Sequence, residues 1–336
     1  MQRGCSNFGC ETAGGQSRGL VPLALGEMTL TPGRYRAITF AALFALGAII
    51  VTGAAVRLTG SGLGCEDWPG CSSTKLIDVS SKHAAIEQVN RLFTGLVSVA
   101  VIAAVLGSLV RVPKRRDLLW LSLGLVGGVI AQIVLGGITV LVDLHPLAVQ
   151  GHMIVSLVLV ANAVLLVHRA SQPDGGTAVR LVSPELNRHA CAIGALTAVA
   201  LVTGTVVTGA GPHAGDEDVQ RFGIAISSAA RAHGVAVWLA VAAMVALAVR
   251  LRDRGSERAE IAEWVSAWIF VALLQGAVGY IQYFNDVPEL LVGVHVFGAT
   301  VLWSITVAFV LRTMPLRRVE QASSVPGTVS AALSVS

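Results

Sequence analysis

The chain has 336 residues, of which 54% are hydrophobic and only 13% are charged. A soluble protein carries about 25% charged residues, so the composition excludes an ordinary soluble domain and favours a membrane protein. The formal net charge of +4 does not indicate a nucleic-acid partner, because the basic residues are distributed in a way that marks membrane orientation instead.

Apolar residues are grouped in blocks of about 20, which is the length of an α-helix that crosses a bilayer core. The strands of a membrane barrel would be shorter and would alternate in polarity, so the pattern excludes a barrel. We predict an all-α polytopic membrane protein whose small residues favour close helix packing. The eight predicted spans cover residues 37–56, 88–110, 118–141, 149–167, 190–210, 229–249, 264–284 and 290–311.

The two ends of the chain differ from these blocks. Residues 1–33 are rich in glycine and polar residues and lack the apolar core of a signal peptide. We predict that they form a disordered cytoplasmic tail and that residues 314–336 form a second one. Between the tails we predict an N-terminal four-helix half at 34–170 and a C-terminal four-helix half at 185–313.

Basic residues lie in alternate loops, whereas the other loops are mixed or acidic. By the positive-inside rule, the basic loops face the cytoplasm. We therefore predict a multi-pass protein of the cell membrane with both termini in the cytoplasm. The basic residues are Arg34 and Arg36 before span one; Arg111, Lys114, Arg115 and Arg116 after span two; Arg169, Arg180 and Arg188 after span four; Arg250, Arg252, Arg254 and Arg258 after span six; and Arg312, Arg317 and Arg318 after span eight.

The two halves of the chain are similar to each other. Spans three and four match spans seven and eight without a gap when positions are shifted by 143 residues, as from 132 to 275. The same shift places Asn90 of span two on His233 of span six, and spans one and five share the pattern VTGxxV. We predict two parallel copies of a four-helix bundle, because each copy has an even number of spans. The other matched residues are Gln132 with Gln275, Gly136 with Gly279, Ile138 with Ile281 and His152 with His295.

Three of the eight histidines, His152, His233 and His295, lie a few residues inside the predicted outer end of an even-numbered span. Imidazole is a common axial ligand of haem iron, and helical bundles build cofactor sites from facing helices. We predict that His233 and His295 bind one haem from its two sides. Hydrogen bonds between helices and another metal are the alternatives, and zinc is disfavoured because no carboxylate or thiolate joins the histidines at a suitable spacing.

The N-terminal half offers His152 and, at the place of His233, only Asn90. An amide is a poor iron ligand, so a haem in this half would have an open or weakly held face. This difference suits a redox enzyme in which one haem carries electrons and the other is acted on. A single-haem protein with a degenerate first half would show the same pattern.

Cys65 and Cys71 belong to the segment CEDWPGC in the predicted outer loop after span one. Because the outer face is oxidising, we expect a small loop closed by a disulfide, with a redox-active thiol pair as the alternative.

Charged residues also lie near the predicted outer surface. Arg57, Arg91 and Arg231 either snorkel to the interface or bind haem propionates through charge-assisted hydrogen bonds. Glu87 lies four residues before Arg91, so the two side chains share a helix face and can form an ion pair.

Five segments follow one another from span one to span eight: GAAVRLTGSGLGCEDWPGC, HAAIEQVNR, QGHMIVS, RAHG and VGVHVFGA. Together they resemble haem A synthase of the type found in bacterial membranes, and the resemblance covers roughly residues 35–312. It implies eight spans in two four-helix halves, and oxidation of the C8 methyl group of haem O to a formyl group, which makes haem A for cytochrome oxidase. It also implies that His233 and His295 bind a haem b cofactor and that His152 binds the substrate haem.

The family motif on span two is Glu-x-x-His-Arg, and here it reads Glu87-Gln-Val-Asn90-Arg91. The resemblance implies a catalytic role for Glu87, which would accept a proton or stabilise a cationic intermediate while the haem methyl is oxidised. A plain Glu–Arg pair that caps the helix is the alternative. Asn90 departs from the family at a ligand position, and His83, two helical turns earlier, is a substitute ligand that we expect to lie outside the helix. The cysteine pair matches a loop pair of the family.

The resemblance further implies haem b as cofactor, haem O as substrate, and haem O synthase and an electron donor as partners within the lipid bilayer. Both haem sites would lie toward the outer face, and a homo-oligomer is left open. Two other functions are left open as well: a dihaem b-type electron-transfer protein and a haem-handling transporter or chaperone.

Overall fold

The computed structural model describes residues 29–216 and 218–318. In this part of the chain eight helices are long and apolar enough to cross a membrane, which confirms the predicted all-α class. They are α1 (Pro32–Leu58), α2 (Lys82–Val110), α3 (Arg116–Leu141), α4 (Pro146–Ala170), α5 (Pro184–Ala210), α6 (Ile226–Arg250), α7 (Gly255–Phe284) and α8 (Glu289–Thr313). A two-stranded antiparallel ribbon, which the sequence did not predict, pairs β1 (Thr177–Val179) with β2 (Leu316–Arg318).

The helix ends follow local sequence signals. Thr31, Ser81 and Ser183 precede α1, α2 and α5, and each side chain accepts a hydrogen bond from the backbone N–H three residues later. Such caps satisfy N–H groups that have no partner within the helix. Proline stands in the first turn of α1, α4 and α5, where its missing N–H is not needed.

Each half of the chain has its own apolar core. Leu46, Val101, Leu125 and Leu159 place one buried side chain from each of α1 to α4 in the first core. The second core receives one from each of α5 to α8, as Ile193, Met244, Ile261 and Phe309 illustrate.

The two halves meet where α8 packs against α1 and α4, and where α4 contacts α5. A third cluster fills this junction with Ile50, Val160 and Leu311. Trp303 of α8 donates its indole N–H to the carbonyl of Leu157 on α4 at 2.8 Å. The two halves therefore pack directly against each other.

The same rare turn joins the last two helices of each half. Asp143 and Leu144 between α3 and α4 have positive φ, and so do Asp286 and Val287 between α7 and α8. Two consecutive positive φ values are uncommon for residues other than glycine. The two turns are related by the 143-residue shift, as are the helix ends at Leu141 and Phe284. This agreement supports a duplicated four-helix unit, an arrangement that stays a prediction.

Loops at the predicted cytoplasmic face are tied together by charge pairs and backbone bonds. Arg111 is almost fully buried and contacts Asp174 at 2.6 Å, while Arg115 contacts Asp117 at 2.6 Å. Within residues 29–33, the backbone of Leu30 exchanges hydrogen bonds with the segment after α2, and α1 begins at Pro32. Residues 1–28 and 319–336 of the two predicted tails lie outside the described residues.

Candidate functional site

The second half brings His233 of α6 and His295 of α8 close together. Their ring centroids lie 6.4 Å apart, with the ring planes inclined by 79°. A metal–imidazole bond is about 2 Å long, so two imidazoles on opposite sides of one iron hold their centroids about 6 Å apart. The pair therefore fits the axial positions of a haem.

Neighbouring helices position both imidazoles. His233 donates from Nδ1 to the carbonyl of Ala200 on α5 at 2.9 Å, which leaves its other ring nitrogen free to bind a metal. A Cβ atom at Gly204 would lie 3.2 Å from Cε1 of His233, and one at Gly279 would lie 3.2 Å from Cε1 of His295. Glycine thus allows α5 and α7 to approach the rings closely.

His152 of α4 lies in the same local setting as His295. Gln132 donates to the carbonyl of His152 at 3.1 Å, and Gln275 donates to the carbonyl of His295 at 2.8 Å. A Cβ atom at Gly136 would lie 3.5 Å from Cε1 of His152. In the described residues, Nδ1 of both histidines is buried without a hydrogen-bond partner. Each histidine is therefore fixed at its backbone carbonyl, and its Nδ1 makes no hydrogen bond that would compete with a ligand.

Asn90 of α2 is tied to α1. Thr52 donates its hydroxyl to Oδ1 of Asn90 at 2.8 Å. In the second half the corresponding atoms, Oγ1 of Thr203 and Nδ1 of His233, are 3.4 Å apart. The side chain of Asn90 therefore has the same hydroxyl neighbour as the imidazole of His233.

Glu87 is buried near the start of α2, and both of its carboxylate oxygens are bonded. Oε2 accepts the backbone N–H of Cys65 at 2.8 Å. Oε1 accepts Nε and Nη2 of Arg91 at 3.0 and 2.6 Å. The predicted Glu–Arg pair is therefore formed, and it anchors the start of the cysteine loop to α2.

Arg91 also holds the rest of this loop. Its guanidinium donates to the carbonyls of Asp67 at 3.2 Å, Pro69 at 3.4 Å and Gly70 at 2.9 Å. These contacts and the bond to Glu87 engage all three guanidinium nitrogens. We had expected haem propionates as one set of partners, and the contacts observed here are with the protein's own loop.

The predicted disulfide between Cys65 and Cys71 is confirmed, with Cα atoms 4.3 Å apart. The closed loop lays Trp68 against α3, because a Cβ atom at Gly137 would lie only 2.7 Å from the indole ring. Further along the same loop, hydrogen bonds from Ser80 and Lys75 lower the pKa of Asp78 to about 2. The cysteine loop is thus anchored to α2 and α3, and Trp68 meets α3 one residue after Gly136, which faces His152.

The remaining predicted residues lie apart from the histidines. Arg57 donates to the carbonyl of Thr208 at 2.7 Å, and its Nε is buried without a partner among the described residues. Arg231 is exposed and donates to Ser228 at 3.2 Å. We expected His83 outside the helix, which is wrong: it lies in the first turn of α2 and contacts Ser61 at 3.0 Å. Seven residues of helix separate it from Asn90 by about 10 Å along the axis.

Groups of three or more His, Cys, Asp or Glu side chains that could hold a metal ion are absent from residues 29–216 and 218–318. The paired imidazoles therefore suit a metal whose other ligands come from a cofactor and not from the protein. Haem is such a group, because the porphyrin supplies four nitrogens and leaves the axial positions to the protein.

A sequence model of one protein family matches residues 36–85 and 74–307, which together cover most of the chain. The family is COX15-CtaA, described as cytochrome oxidase assembly protein. The chain belongs to this family. COX15-CtaA is the assembly family of haem A synthase, so the resemblance found in the sequence is confirmed at the level of the family. A comparison with curated proteins gives no match.

Family membership links the chain to cytochrome oxidase assembly and to haem. All candidate residues, from Arg57 to His295, lie within the matched ranges. The chain is accordingly a multi-pass COX15-CtaA membrane protein whose paired histidines fit a haem.

Proposed function

We propose that the chain is a haem A synthase that oxidises the C8 methyl group of haem O to a formyl group. The observation that carries the proposal is the inequality of two equivalent sites. The ring centroids of His233 and His295 lie 6.4 Å apart in the second half. In the first half the counterpart of His295 is His152, and the counterpart of His233 is Asn90. In a family of oxidase assembly proteins, this difference between the halves supports a cofactor site in the second half and a substrate site in the first half.

In the second half, His233 and His295 would hold haem b as the resident cofactor. When bound, haem b supplies reversible transfer of single electrons. The protein's part is to keep the two imidazoles in place through Ala200, Gln275 and the close approach at Gly204 and Gly279. Rigid ligands of this kind favour fast electron transfer because they reorganise little.

In the first half, His152 would hold the substrate haem O. Gln132 fixes the backbone of His152, and Trp68 of the cysteine loop packs on α3 beside it. Arg57 would bind a propionate, because its Nε has no partner within the described residues. Arg231 on α6 is the candidate for the same role at the haem of the second half.

Oxidation of the methyl group, with water as the source of the oxygen atom and dioxygen as the electron acceptor, would release protons, and Glu87 would receive one of them. Arg91, 2.6 Å away, favours the charged carboxylate, and the N–H of Cys65 fixes its orientation. A positioned base of this kind contributes about 10²- to 10⁴-fold to a rate. The proposed roles thus separate a proton acceptor on α2 from a haem ligand on α4.

The proposal includes the surroundings of the enzyme. Haem O synthase would supply the substrate, a membrane electron carrier would exchange electrons with haem b, and both haem sites would face the outer side of the cell membrane. The termini would lie in the cytoplasm.

The test is haem conversion in a host that makes haem O but no haem A. Haems are extracted from membranes that contain the full chain and are identified by chromatography with mass analysis. We expect hydroxylated or formylated haem with the wild type. A Glu87→Gln variant should form at least about 10²-fold less. Glu66→Gln, which changes an exposed acid of the neighbouring cysteine loop, should match the wild type.

Two outcomes would contradict the proposal. Unaltered haem O beside haem B, from a folded protein with a competent electron donor, would favour a b-type electron carrier or a haem-handling protein. Full conversion by Glu87→Gln would remove this residue from the chemistry.

A further inference from the structure

The two halves differ at one position of an otherwise matched setting. Asn90 and His233 are related by the 143-residue shift that also relates His152 to His295. Each follows a VTG segment on the preceding helix, with Thr52 bonded to Asn90 and Thr203 next to His233. The first half therefore keeps the surroundings of an axial imidazole and lacks the imidazole itself.

The space that an imidazole would occupy is open. In the second half a Cβ atom at Gly204 would lie 3.2 Å from the ring of His233. At Gly53, the glycine of the first VTG segment, a Cβ atom would meet nothing within 4 Å. Gly53, Thr52 and Asn90 are all partly exposed, so this space is reached from outside the packed core.

Asn90 is oriented to donate and not to coordinate. Its Oδ1 accepts the hydroxyl of Thr52 at 2.8 Å. An amide also carries two N–H donors, and no hydrogen bond among the described residues uses those of Asn90. The side chain is thus fixed at its oxygen and presents donors to whatever fills the neighbouring space.

We propose that the site bordered by Thr52, Gly53 and Asn90 binds a small exogenous ligand of the first-half iron, opposite His152. The chemical class is a compact electron-pair donor, such as a diatomic molecule, whose outer atom accepts a hydrogen bond from Asn90. This inference rests on the proposed function, because it requires haem in the first half. In the second half His233 occupies the equivalent place, so the ligand site belongs to the first half.

The experiment uses the purified full chain loaded with haem, with imidazole, cyanide and carbon monoxide as probes. Electron paramagnetic resonance and optical absorption report the spin state of each haem. We expect one low-spin and one high-spin haem in the wild type, with the high-spin signal absent from His152→Ala. Imidazole or cyanide should convert the high-spin haem to low spin, and carbon monoxide should bind to it after reduction.

Two reciprocal variants test the open position. Asn90→His should give two low-spin haems without any probe and should lose binding of all three probes, because the imidazole fills the space beside Gly53. His233→Asn should create a second haem that responds to imidazole. Either variant suffices if the other fails to fold.

Three results would overturn the inference. A first-half haem that is low-spin without added ligand and does not respond to any probe would overturn it while leaving the proposed function intact. Unchanged probe binding in a folded Asn90→His protein would do the same. A haem content that is identical in His152→Ala and the wild type would remove the first-half site and would overturn the proposed function as well.

Discussion

At the scale of single residues, glycines decide how closely the helices approach the candidate haem ligands. Gly204 and Gly279 stand against the rings of His233 and His295, and Gly136 stands against His152. Gly53 is the repeat counterpart of Gly204 and has no such neighbour. These glycines therefore have a close ring neighbour where the adjacent helix carries a histidine, and Gly53 has none where the adjacent helix carries Asn90.

This contrast gives a matched pair of substitutions. We expect Gly204→Ala to displace His233, because the new methyl group would lie 3.2 Å from its ring, and overpacking of this kind costs about 1–3 kcal/mol. The low-spin haem signal should shift or weaken, and the thermal midpoint should fall. Gly53→Ala should leave both unchanged or slightly raise the midpoint, because alanine favours a helix. Equal effects of the two substitutions would contradict the prediction that Gly204 leaves the space needed by the ring of His233.

At the scale of structural elements, the cysteine loop is fixed from three directions. The disulfide closes it, Glu87 and Arg91 bind its backbone, and Trp68 packs on α3 at Gly137. In the second half the position that corresponds to Gly137 is Tyr280, so the helix itself carries an aromatic side chain there. At this position the cysteine loop supplies the aromatic side chain in the first half, as Trp68. In the second half the helix supplies it, as Tyr280.

A single methyl group tests this docking of the loop. We expect Gly137→Ala to displace Trp68, because the Cβ atom would lie 2.7 Å from the indole ring. The loosened loop should be cleaved faster by trypsin after Lys75, and haem conversion should fall. Gly127→Ala lies on the same helix with nothing within 4 Å of the new Cβ atom, and it should behave as the wild type. Unchanged cleavage in Gly137→Ala would show that Trp68 does not secure the loop.

The sequence predicted the helices because their signal, a block of apolar residues, recurs along the chain. Eight apolar blocks predicted eight helices, because a bilayer requires about 20 apolar residues in each span. The Cys65–Cys71 bridge followed from two cysteines in one predicted outer loop. The helix extends beyond the apolar block at α2, which begins at Lys82 and so includes His83. Polar residues outside the hydrocarbon core continue the helix without an apolar signal, and this is why His83 was misplaced.

Contacts with backbone carbonyls were not predictable. Arg91 bonds to the carbonyls of Pro69 and Gly70, and Gln275 bonds to that of His295. A carbonyl is present in every residue, so such contacts leave no side-chain pattern. Gln and His are 20 residues apart in both halves. This spacing indicates the repeat, but it does not indicate the hydrogen bond between the two residues.

At the scale of the whole molecule, the surface of the bundle is apolar and suits a lipid bilayer. Large hydrophobic side chains such as Phe44, Trp120, Leu273 and Phe284 are exposed around it. Charged pairs that involve Arg111 and Arg115 gather at the predicted cytoplasmic face, and the cysteine loop lies at the opposite face. The orientation in the membrane stays a prediction that rests on the basic loops.

Cysteine labelling tests this orientation. In a background with Cys5, Cys10 and Cys191 replaced by serine, Lys114→Cys and Lys75→Cys place one thiol in each type of loop. The positive-inside rule places the basic loops in the cytoplasm. A membrane-impermeant maleimide should therefore label position 75 in right-side-out vesicles and position 114 only in inverted ones. The reverse pattern would place both termini outside.

The division of labour between the halves is the central claim, and haem analysis of two variants tests it most directly. Protein is purified from a host that makes haem B and haem O, and the bound haems are identified by mass. We predict that His152→Ala loses haem O and its oxidised products but keeps haem B, while His295→Ala loses haem B but keeps the substrate haem. His83→Ala should retain both. Loss of both haems together, or loss of haem B from a folded His152→Ala protein, would contradict a substrate half and a cofactor half.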